Sequence, residues 1–212
     1  MERLICVLVG YVFGLIQTGY IYGKKNGVDL RKKGSGNAGT TNALRTMGWK
    51  AGAVTLLGDC FKCVAAVVVV HLIYGKTHTD MMPLLSMYAG MGAVLGHNYP
   101  FYLKFKGGKG IAATAGLIIS TTNIWIVLIC LAAFIAIVAA TRYVSLGSMA
   151  VVTIYLISVI VYGQHGGFGV ENVSYLHEMY VVAAFLMVLA FWRHRANIKR
   201  LLSGTENKIS VG

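Results

Sequence analysis

The chain has 212 residues, of which 57% are hydrophobic and only 12% are charged, and its mean hydropathy is +0.67. Soluble domains are about 45–50% apolar and about 25% charged, so this composition excludes an ordinary soluble domain and indicates an integral membrane protein. The 19 Lys and Arg residues against 7 Asp and Glu residues give a net charge of +12. Because the basic residues stand in short segments between apolar runs, they suit anionic lipid headgroups or phosphorylated substrates, and no nucleic acid is expected.

Seven apolar stretches predict an all-α, polytopic bundle of seven transmembrane helices, since about 20 apolar residues cross the hydrocarbon core as a helix. Residues 110–140 carry no charge and are too many for one span. The polar residues Ser120 to Asn123 in their middle predict a turn between two short spans. The other five predicted spans are roughly Leu4–Tyr22, Ala51–Tyr74, Met82–Phe101, Val144–Tyr162 and Leu176–Trp192.

The basic residues set the orientation of this bundle, because Lys and Arg accumulate in cytoplasmic loops. With seven spans, all of them except Arg3, Lys62 and Lys76 fall on one side of the membrane. We therefore expect the N-terminus outside and the C-terminus in the cytoplasm. No internal repeat or low-complexity tract is visible, so residues 1–212 are expected to form a single transmembrane domain. The predicted cytoplasmic segments are residues 23–50, 102–110, 141–147 and 193–212.

A glycine-rich segment lies between the first two predicted spans, and residues 34–42 read Gly-Ser-Gly-Asn-Ala-Gly-Thr-Thr-Asn. Closely spaced glycines let backbone N–H groups point into one concavity, and a helix that follows offers its N-terminus to an anion. The segment follows three basic residues, 31–33, rather than a strand, which argues against a dinucleotide-binding fold. It predicts a phosphate site, and the alternative is a flexible basic linker made of turn residues.

A second polar segment follows the third predicted span and contains Gly-His-Asn-Tyr-Pro at 96–100 and Phe-Lys-Gly-Gly-Lys-Gly at 105–110. Two lysines around a glycine pair supply charge and exposed amides for another anion, although anchoring at the cytoplasmic face would also explain them. Imidazole titrates near neutral pH, so His97 is either a general base or a hydrogen-bonding residue at a helix end.

Two further motifs are weak when taken alone. Residues 142–145, which end in Ser145, follow the fifth predicted span, and a motif with His194, Asn197 and Glu206 follows the last. Basic residues are expected at the cytoplasmic end of helices in any membrane protein. These motifs gain weight because they fall on the same predicted membrane face as the two glycine-rich segments.

Asp59 and Lys62 are charged residues within the second predicted span, three positions apart. A lone charge in the hydrocarbon core is costly, so we expect a neutralising structural pair that faces the bundle, with a role at the substrate as the alternative. The seven acidic residues are spread along the chain and form no cluster of metal ligands. Neither a metal nor a cofactor is expected.

The motifs stand in a fixed order: GSGNAGTTNALR at 34–45, GDCFK at 58–62, GHNYP at 96–100, FKGGKG at 105–110, RYVSL at 142–146 and HRANIKRL at 194–201. As a set they resemble the bacterial acyl-phosphate-dependent glycerol-3-phosphate acyltransferases over nearly the whole chain. In that family an acyl group passes from acyl phosphate to the 1-hydroxyl of sn-glycerol 3-phosphate. The products are lysophosphatidic acid and inorganic phosphate, in the first step of phospholipid synthesis. The departures are mild: Ala38 stands where relatives often carry proline, and Cys63 where they carry glycine.

The resemblance implies a multi-pass enzyme of the bacterial inner membrane with its active site facing the cytoplasm. Its partners would be acyl phosphate, glycerol 3-phosphate and the lipid bilayer, and nothing in the sequence requires an oligomer. Backbone amides suit the charge that grows on a departing phosphate, and cationic or polar side chains suit a soluble dianion. The expected acyl-phosphate ligands are Ser35, Gly36, Asn37, Gly39, Thr41 and Asn42. The expected glycerol-3-phosphate ligands are Arg45, Lys106, Lys109, Ser145, His194 and Asn197, and the candidate catalytic residues are Ser35 and His97.

Acyltransferases that use thioesters commonly carry a His-x-x-x-x-Asp pair, and no histidine of this chain has an aspartate five positions later. An acyl phosphate already has a good leaving group, so positioning two anions is the main task, and the leaving phosphate is a candidate acceptor for the hydroxyl proton. The alternative function is a transporter or channel for a phosphorylated metabolite. That function calls for polar groups near the midplane and usually a repeat, whereas here the polar motifs collect at one face.

Overall fold

The regular structure in residues 1–209, which the computed structural model describes, consists of ten α-helices and two short 3₁₀ turns. The last three residues of the predicted cytoplasmic segment 193–212 lie outside the described residues. The chain divides into two compact units, Met1–Thr121 and Thr122–Gly212. The prediction of an all-α protein is confirmed for the described residues, whereas the single domain stays a prediction.

The first unit holds six α-helices. Long apolar helices alternate with short polar ones, as expected where polar loops connect membrane spans. Its 3₁₀ turns are Leu30–Lys32 and Phe101–Leu103. Its helices are α1 (Glu2–Gly14), α2 (Thr18–Lys25), α3 (Thr40–Met47), α4 (Trp49–Tyr74), α5 (Met82–Asn98) and α6 (Ile111–Thr121).

Small residues bring α1 and α5 into close contact. A Cβ atom added to Gly10 would lie 1.9 Å from the Ala89 carbonyl oxygen, and one added to Gly92 would lie 2.2 Å from the Val7 carbonyl oxygen. Helices in a membrane gain stability from such close backbone approach, because lipid gives little hydrophobic drive for helix association. The contact brings the C-terminal end of α1 beside the C-terminal end of α5, where His97 lies.

A break between α1 and α2 interrupts the stretch predicted as one span, Leu4–Tyr22. Gln17 lies in the break and is 1% exposed. Its side-chain amide donates to the carbonyl oxygens of Gly14 at 3.2 Å and His97 at 3.1 Å. The bond to Gly14 gives a partner to a carbonyl group at the end of the interrupted helix, and the bond to His97 ties the break to the end of α5.

The second unit begins at the turn predicted from Ser120 to Asn123, and that prediction is confirmed. α6 ends at Thr121, and the Asn123 side chain caps the next helix by accepting from the Ile126 amide at 3.0 Å. The helices of this unit are α7 (Ile124–Thr141), α8 (Val144–Gln164), α9 (Val173–Arg193) and α10 (Arg195–Leu202).

Five helical stretches in the described residues are long and apolar enough to cross a membrane. α5 and α6, two of the seven predicted spans, are helices of only 17 and 11 residues. At 1.5 Å per residue α6 reaches about 16 Å, roughly half the hydrocarbon thickness. The five stretches are Glu2–Lys25, Trp49–Tyr74, Ile124–Thr141, Val144–Gln164 and Val173–Arg193.

Candidate active site

The glycine-rich segment 34–42 is a loop organised around the side chain of Asn42. Asn42 is 2% exposed, its Oδ1 accepts from the Ser35 amide at 2.9 Å, and its Nδ2 lies within 3.0 Å of the carbonyl oxygens of Leu30, Lys33 and Asn37. Both ends of this amide are therefore occupied inside the loop. The sequence predicted Asn42 as a phosphate ligand, whereas its contacts give it the role of holding the loop together.

Three of the backbone amides predicted for an anion are also used within the loop. The Ser35 amide bonds to Asn42, the Gly36 amide to the Lys33 carbonyl oxygen at 3.0 Å, and the Gly39 amide to the Asn37 Oδ1 at 2.9 Å. The amides that begin α3, at Thr40 and Thr41, have no acceptor within their own helix. The backbone amides that remain for an anion are therefore those of the first turn of α3.

Thr40 is a residue of this site that the sequence analysis left out. Its hydroxyl is buried and makes no hydrogen bond to another described residue. Ser35 is exposed, while Asn37 and Thr41 are partly exposed. Thr40 and Thr41 belong to the first turn of a helix whose dipole favours an anion. A hydroxyl directly after the last glycine of the motif was the available signal for Thr40.

The second polar segment packs its glycines against His97. The Gly108 amide donates to the His97 carbonyl oxygen at 3.1 Å, and a Cβ added to Gly108 would lie 1.8 Å from Nε2 of the His97 ring. No other residue type fits at this position without moving the ring. Lys106 and Lys109 flank this glycine pair in the sequence. Lys106 is exposed, and Lys109 is partly exposed.

Asp59, Lys62 and His97 form a buried charged cluster. The Lys62 ammonium lies 2.8 Å from Asp59 Oδ1, and the two side chains are 2% and 1% exposed. The same Nζ lies 2.8 Å from Nδ1 of His97 and 2.6 Å from the Ile16 carbonyl oxygen. The expected pair is therefore part of a larger group that includes a candidate catalytic residue.

Two residues, Asp59 of this cluster and Asn98 beside it, have buried side-chain atoms without a hydrogen-bond partner in the described residues. Asp59 Oδ2 is buried without a hydrogen bond to another described residue, and so are both polar atoms of Asn98, the residue after His97. A Cβ added to Gly110, which precedes α6, would lie 2.8 Å from Asn98 Oδ1. Unsatisfied buried polar groups are rare, and they mark positions where water or a ligand group completes the structure.

The break between α1 and α2, together with the first turn of α2, contacts the buried cluster, the chain after α5 and the glycine-rich loop, and the sequence analysis missed it. Ile16 and Gln17 bond to Lys62 and His97, as described above. The Tyr102 hydroxyl, on the loop after α5, donates to the Leu15 carbonyl oxygen at 2.6 Å. A Cβ added to Gly19 would lie 2.3 Å from the Ala38 carbonyl oxygen in the glycine-rich loop. A polar glutamine inside an apolar run was the available signal.

In the second unit, Ser145 and Asn197 converge on Glu206. The Ser145 hydroxyl and the Asn197 amide donate to Glu206 Oε1 at 3.0 and 2.6 Å, and Arg200 Nε donates to Oε2 at 2.8 Å. Burial alone would raise the pKa of Glu206, but the hydrogen bonds from Asn197, Arg200 and Ser145 outweigh it and hold that pKa below its ordinary value. Two expected ligands of glycerol 3-phosphate thus share one buried carboxylate.

The other expected ligands differ in exposure. Arg45 is exposed near the end of α3. His194 is 2% exposed between α9 and α10, and its Nδ1 lies 2.8 Å from the Ala190 carbonyl oxygen. A carbonyl oxygen only accepts, so the proton of this contact belongs to Nδ1. The end of α9 therefore holds the His194 ring in place.

Apolar helices, two glycine-rich polar loops and a buried charged cluster within α4 define an integral membrane protein. The chain belongs to the glycerol-3-phosphate acyltransferase family, whose model matches residues 4–204. The glycerol-3-phosphate acyltransferase of Clostridioides difficile is 43% identical over 207 residues, which cover 97% of this chain and 95% of the relative. That of Bacillus subtilis is 37% identical over 206 residues, with 96% and 95% coverage.

Two solved structures share the fold. One is the crystal structure of PlsY (YgiH), an integral membrane glycerol 3-phosphate acyltransferase, in its glycerol 3-phosphate form. It is 30% identical, with a TM-score of 0.84 over 99% of this chain and 96% of that chain. The lysophosphatidic acid form of the same protein gives a TM-score of 0.82 with the same identity and coverage. The likeness supports an enzyme rather than a transporter or channel.

Proposed function

We propose that this protein transfers a fatty acyl group from acyl phosphate to the 1-hydroxyl of sn-glycerol 3-phosphate. The products are lysophosphatidic acid and inorganic phosphate. The observation that carries the proposal is the 43% identity to a glycerol-3-phosphate acyltransferase over 97% of the chain. The first turn of α3, with the hydroxyls of Thr40 and Thr41, and the lysines of the 105–110 loop are the two anion sites of this proposal.

The chemistry needs no covalent intermediate on the protein. The 1-hydroxyl oxygen attacks the acyl carbonyl carbon, the bond from that carbon to the phosphate oxygen breaks, and the hydroxyl proton passes to the departing phosphate. The protein then acts by holding two anions together against their repulsion and by stabilising charge in the transition state. Neither a metal nor a cofactor takes part in this scheme.

We assign the acyl phosphate to the 34–42 loop and the start of α3, with Ser35, Thr40 and Thr41 as the side-chain donors. Asn42 keeps the loop in shape, together with a small core of Leu30, Ala43 and Ala51 beneath it. Glycerol 3-phosphate is assigned to the cations predicted for it in the first unit, Arg45, Lys106 and Lys109. Ser145, His194 and Asn197 of the second unit stay predictions, because Glu206 and the Ala190 carbonyl oxygen contact their side chains.

The direct test supplies the purified protein with palmitoyl phosphate and labelled glycerol 3-phosphate and measures labelled lysophosphatidic acid. A parallel reaction contains palmitoyl-CoA as the donor. We expect product with palmitoyl phosphate alone. Product with the thioester alone would overturn the donor assignment, and product with neither donor would overturn the proposed function.

We propose a multi-pass protein of the bacterial inner membrane with seven spans, the N-terminus outside and the active site facing the cytoplasm. The distribution of basic residues supports this topology, and the single family match over residues 4–204 supports one functional domain. Cysteines introduced at 122 and 168 should react with an impermeant reagent in intact cells, and those at 33 and 205 should not. Labelling of position 33 from outside would contradict the orientation.

A further inference from the structure

The second glycine-rich loop is fastened to the end of α5. The amides of Gly107 and Gly108 donate to the carbonyl oxygens of Asn98 and His97 at 3.2 and 3.1 Å. The last carbonyl groups of a helix have no donor within the helix, so these two bonds supply the missing partners. Both glycines are buried. The glycine pair therefore has a defined position against α5.

The His97 ring lies against the second glycine of the pair. A Cβ added to Gly108 would lie 1.8 Å from Nε2 of the ring and 2.7 and 2.8 Å from the two ring carbons beside it, and these are its nearest neighbours. The Gly108 Cα thus covers the outward direction of Nε2. The φ angle of Gly108 is not positive, so the backbone tolerates a side chain there and the ring alone excludes one.

A buried charge holds the other edge of the ring. Lys62 Nζ lies 2.8 Å from Nδ1 of His97, and the same ammonium contacts Asp59 Oδ1 at 2.8 Å and the Ile16 carbonyl oxygen at 2.6 Å. The side chains of Asp59, Lys62 and His97 are no more than 3% exposed. Nδ1 faces the ammonium and Nε2 faces Gly108, so neither nitrogen is placed to take a proton from a substrate hydroxyl.

The two lysines of the loop stand next to the glycine pair. Lys106 comes directly before Gly107, and Lys109 comes directly after Gly108. Consecutive Cα atoms are about 3.8 Å apart, so the position of the pair limits where both lysine backbones can lie. A ring that sets the position of Gly108 therefore also sets the position of the two cations.

We propose that His97 is a positioning residue whose ring supports the glycine pair and thereby places the two lysines of the 105–110 loop at the anion that they bind. His97 is not the general base. The support of the loop by the ring rests on the contacts described above, whereas the identity of the anion as glycerol 3-phosphate rests on the proposed function.

The first test is a double-mutant cycle on the Tm of the full-length protein in detergent, without substrate. Gly108→Ala places a methyl group against the ring, and we expect it to lower the Tm by at least about 4 °C. In a His97→Ala background the ring is absent, and the same substitution should lower the Tm by less than half as much. The yield of folded protein, measured by size-exclusion chromatography, gives the same comparison if Gly108→Ala folds poorly.

Gly107→Ala is the matched control of this cycle. A Cβ added to Gly107 would lie 2.0 Å from the His97 carbonyl oxygen and 2.6 Å from Pro100 Cδ, and His97→Ala removes neither atom. Its effect on the Tm should therefore be the same with and without the ring. If the effect of Gly108→Ala is also unchanged, the ring does not support the loop and the proposal is overturned. Equal relief of both glycine variants would overturn it as well.

The second test measures the kinetics of His97→Ala. We expect the KM for glycerol 3-phosphate to rise and kcat to fall, each at least about tenfold, because a displaced loop binds and places its anion less well. The KM for acyl phosphate should stay nearly unchanged, and kcat should keep the shape of its wild-type pH profile. Loss of a titration step at about pH 6.5 would make His97 the general base and overturn the proposal. An equal rise in both KM values would overturn it too, because it would indicate a general loss of structure.

The two tests separate this proposal from the proposed function. A wild-type protein without acyltransferase activity would refute the proposed function, and the result of the Tm cycle would still decide whether the ring supports the loop.

Discussion

Among the described residues, each unit buries one carboxylate, and the two differ in how many hydrogen bonds they accept. Glu206 in the second unit accepts three hydrogen bonds, two on Oε1 and one on Oε2. Asp59 in the first unit is bonded at Oδ1, while its Oδ2 bonds to no described residue. A fully bonded carboxylate locks the segments around it, whereas a partly bonded one retains capacity for further contacts.

The partners of the two carboxylates differ as well. Arg200, the cation beside Glu206, has a side chain that is 36% exposed, and the other two donors are neutral. Lys62, the cation beside Asp59, is 2% exposed and also contacts an imidazole. We infer that the Glu206 cluster is chiefly structural and that the Asp59 cluster serves the reaction through His97.

The largest effect is expected from Lys62→Met, which leaves the Asp59 charge buried without a counterion. We expect the free energy of unfolding to fall by about 3–5 kcal/mol, because an uncompensated buried charge has lost its hydration. Thermal or denaturant unfolding in detergent measures the change. Asp59→Asn/Lys62→Met is the matched control and should recover most of the loss. If the single and double variants are equally stable, the ion pair does not compensate the burial of Asp59.

Glu206→Ala tests the other carboxylate. Ser145 and Asn197 would lose their shared acceptor, so we expect a loss of about 2–3 kcal/mol in the free energy of unfolding. Glu171→Ala, at an exposed acid of the same unit, is the control and should change stability little. A Glu206 variant as stable as the Glu171 variant would show that the cluster does not hold the C-terminal segment.

Lys106→Met tests which substrate the 105–110 loop binds. We expect the KM for glycerol 3-phosphate to rise tenfold or more, from the loss of about 1.4–3 kcal/mol of charged hydrogen bonding, with the KM for acyl phosphate nearly unchanged. Lys104→Met, at an exposed lysine of the same loop, is the matched control. An increase confined to the KM for acyl phosphate would mean that the two anion sites are assigned in reverse.

The smallest expected effect is the pH dependence that Glu206 contributes. Its pKa is lower in the folded protein than its ordinary value of 4.5. The charged form therefore stabilises the fold above pH 4.5, and this contribution is lost as the pH falls through the lower folded pKa. Stability measured against pH should decline less steeply in this acid range for Glu206→Ala than for wild type. Identical slopes would exclude Glu206 as a source of acid sensitivity.

Local patterns predicted much of the fold. The polar residues 120–123 predicted the turn between α6 and α7, because an uncharged stretch that long exceeds one span. The spacing of Asp59 and Lys62 predicted their contact, since residues three apart share a helix face. The break after α1 was missed because no proline or charge marks it, and its signal, Gln17, is a single polar residue.

Contacts between distant residues could not be predicted. His97 contacts Lys62 across 35 positions, and Ser145 contacts Glu206 across 61, so the tertiary structure decides both contacts. The direction in which a polar side chain points also cannot be predicted from the sequence. The sequence therefore predicted Asn42 as a ligand, although its amide, in the first turn of α3, faces the loop before that helix.

The most direct test of the contrast between the two carboxylates is the kcat of Asp59→Asn/Lys62→Met, measured together with its Tm. We expect the Tm to stay within about 4 °C of wild type, because the variant buries no unpaired charge. We expect kcat to fall at least about tenfold, because the variant removes the ammonium that contacts His97, a candidate catalytic residue. A variant with an unchanged Tm and the wild-type kcat would contradict the claim that the Asp59 cluster serves the reaction.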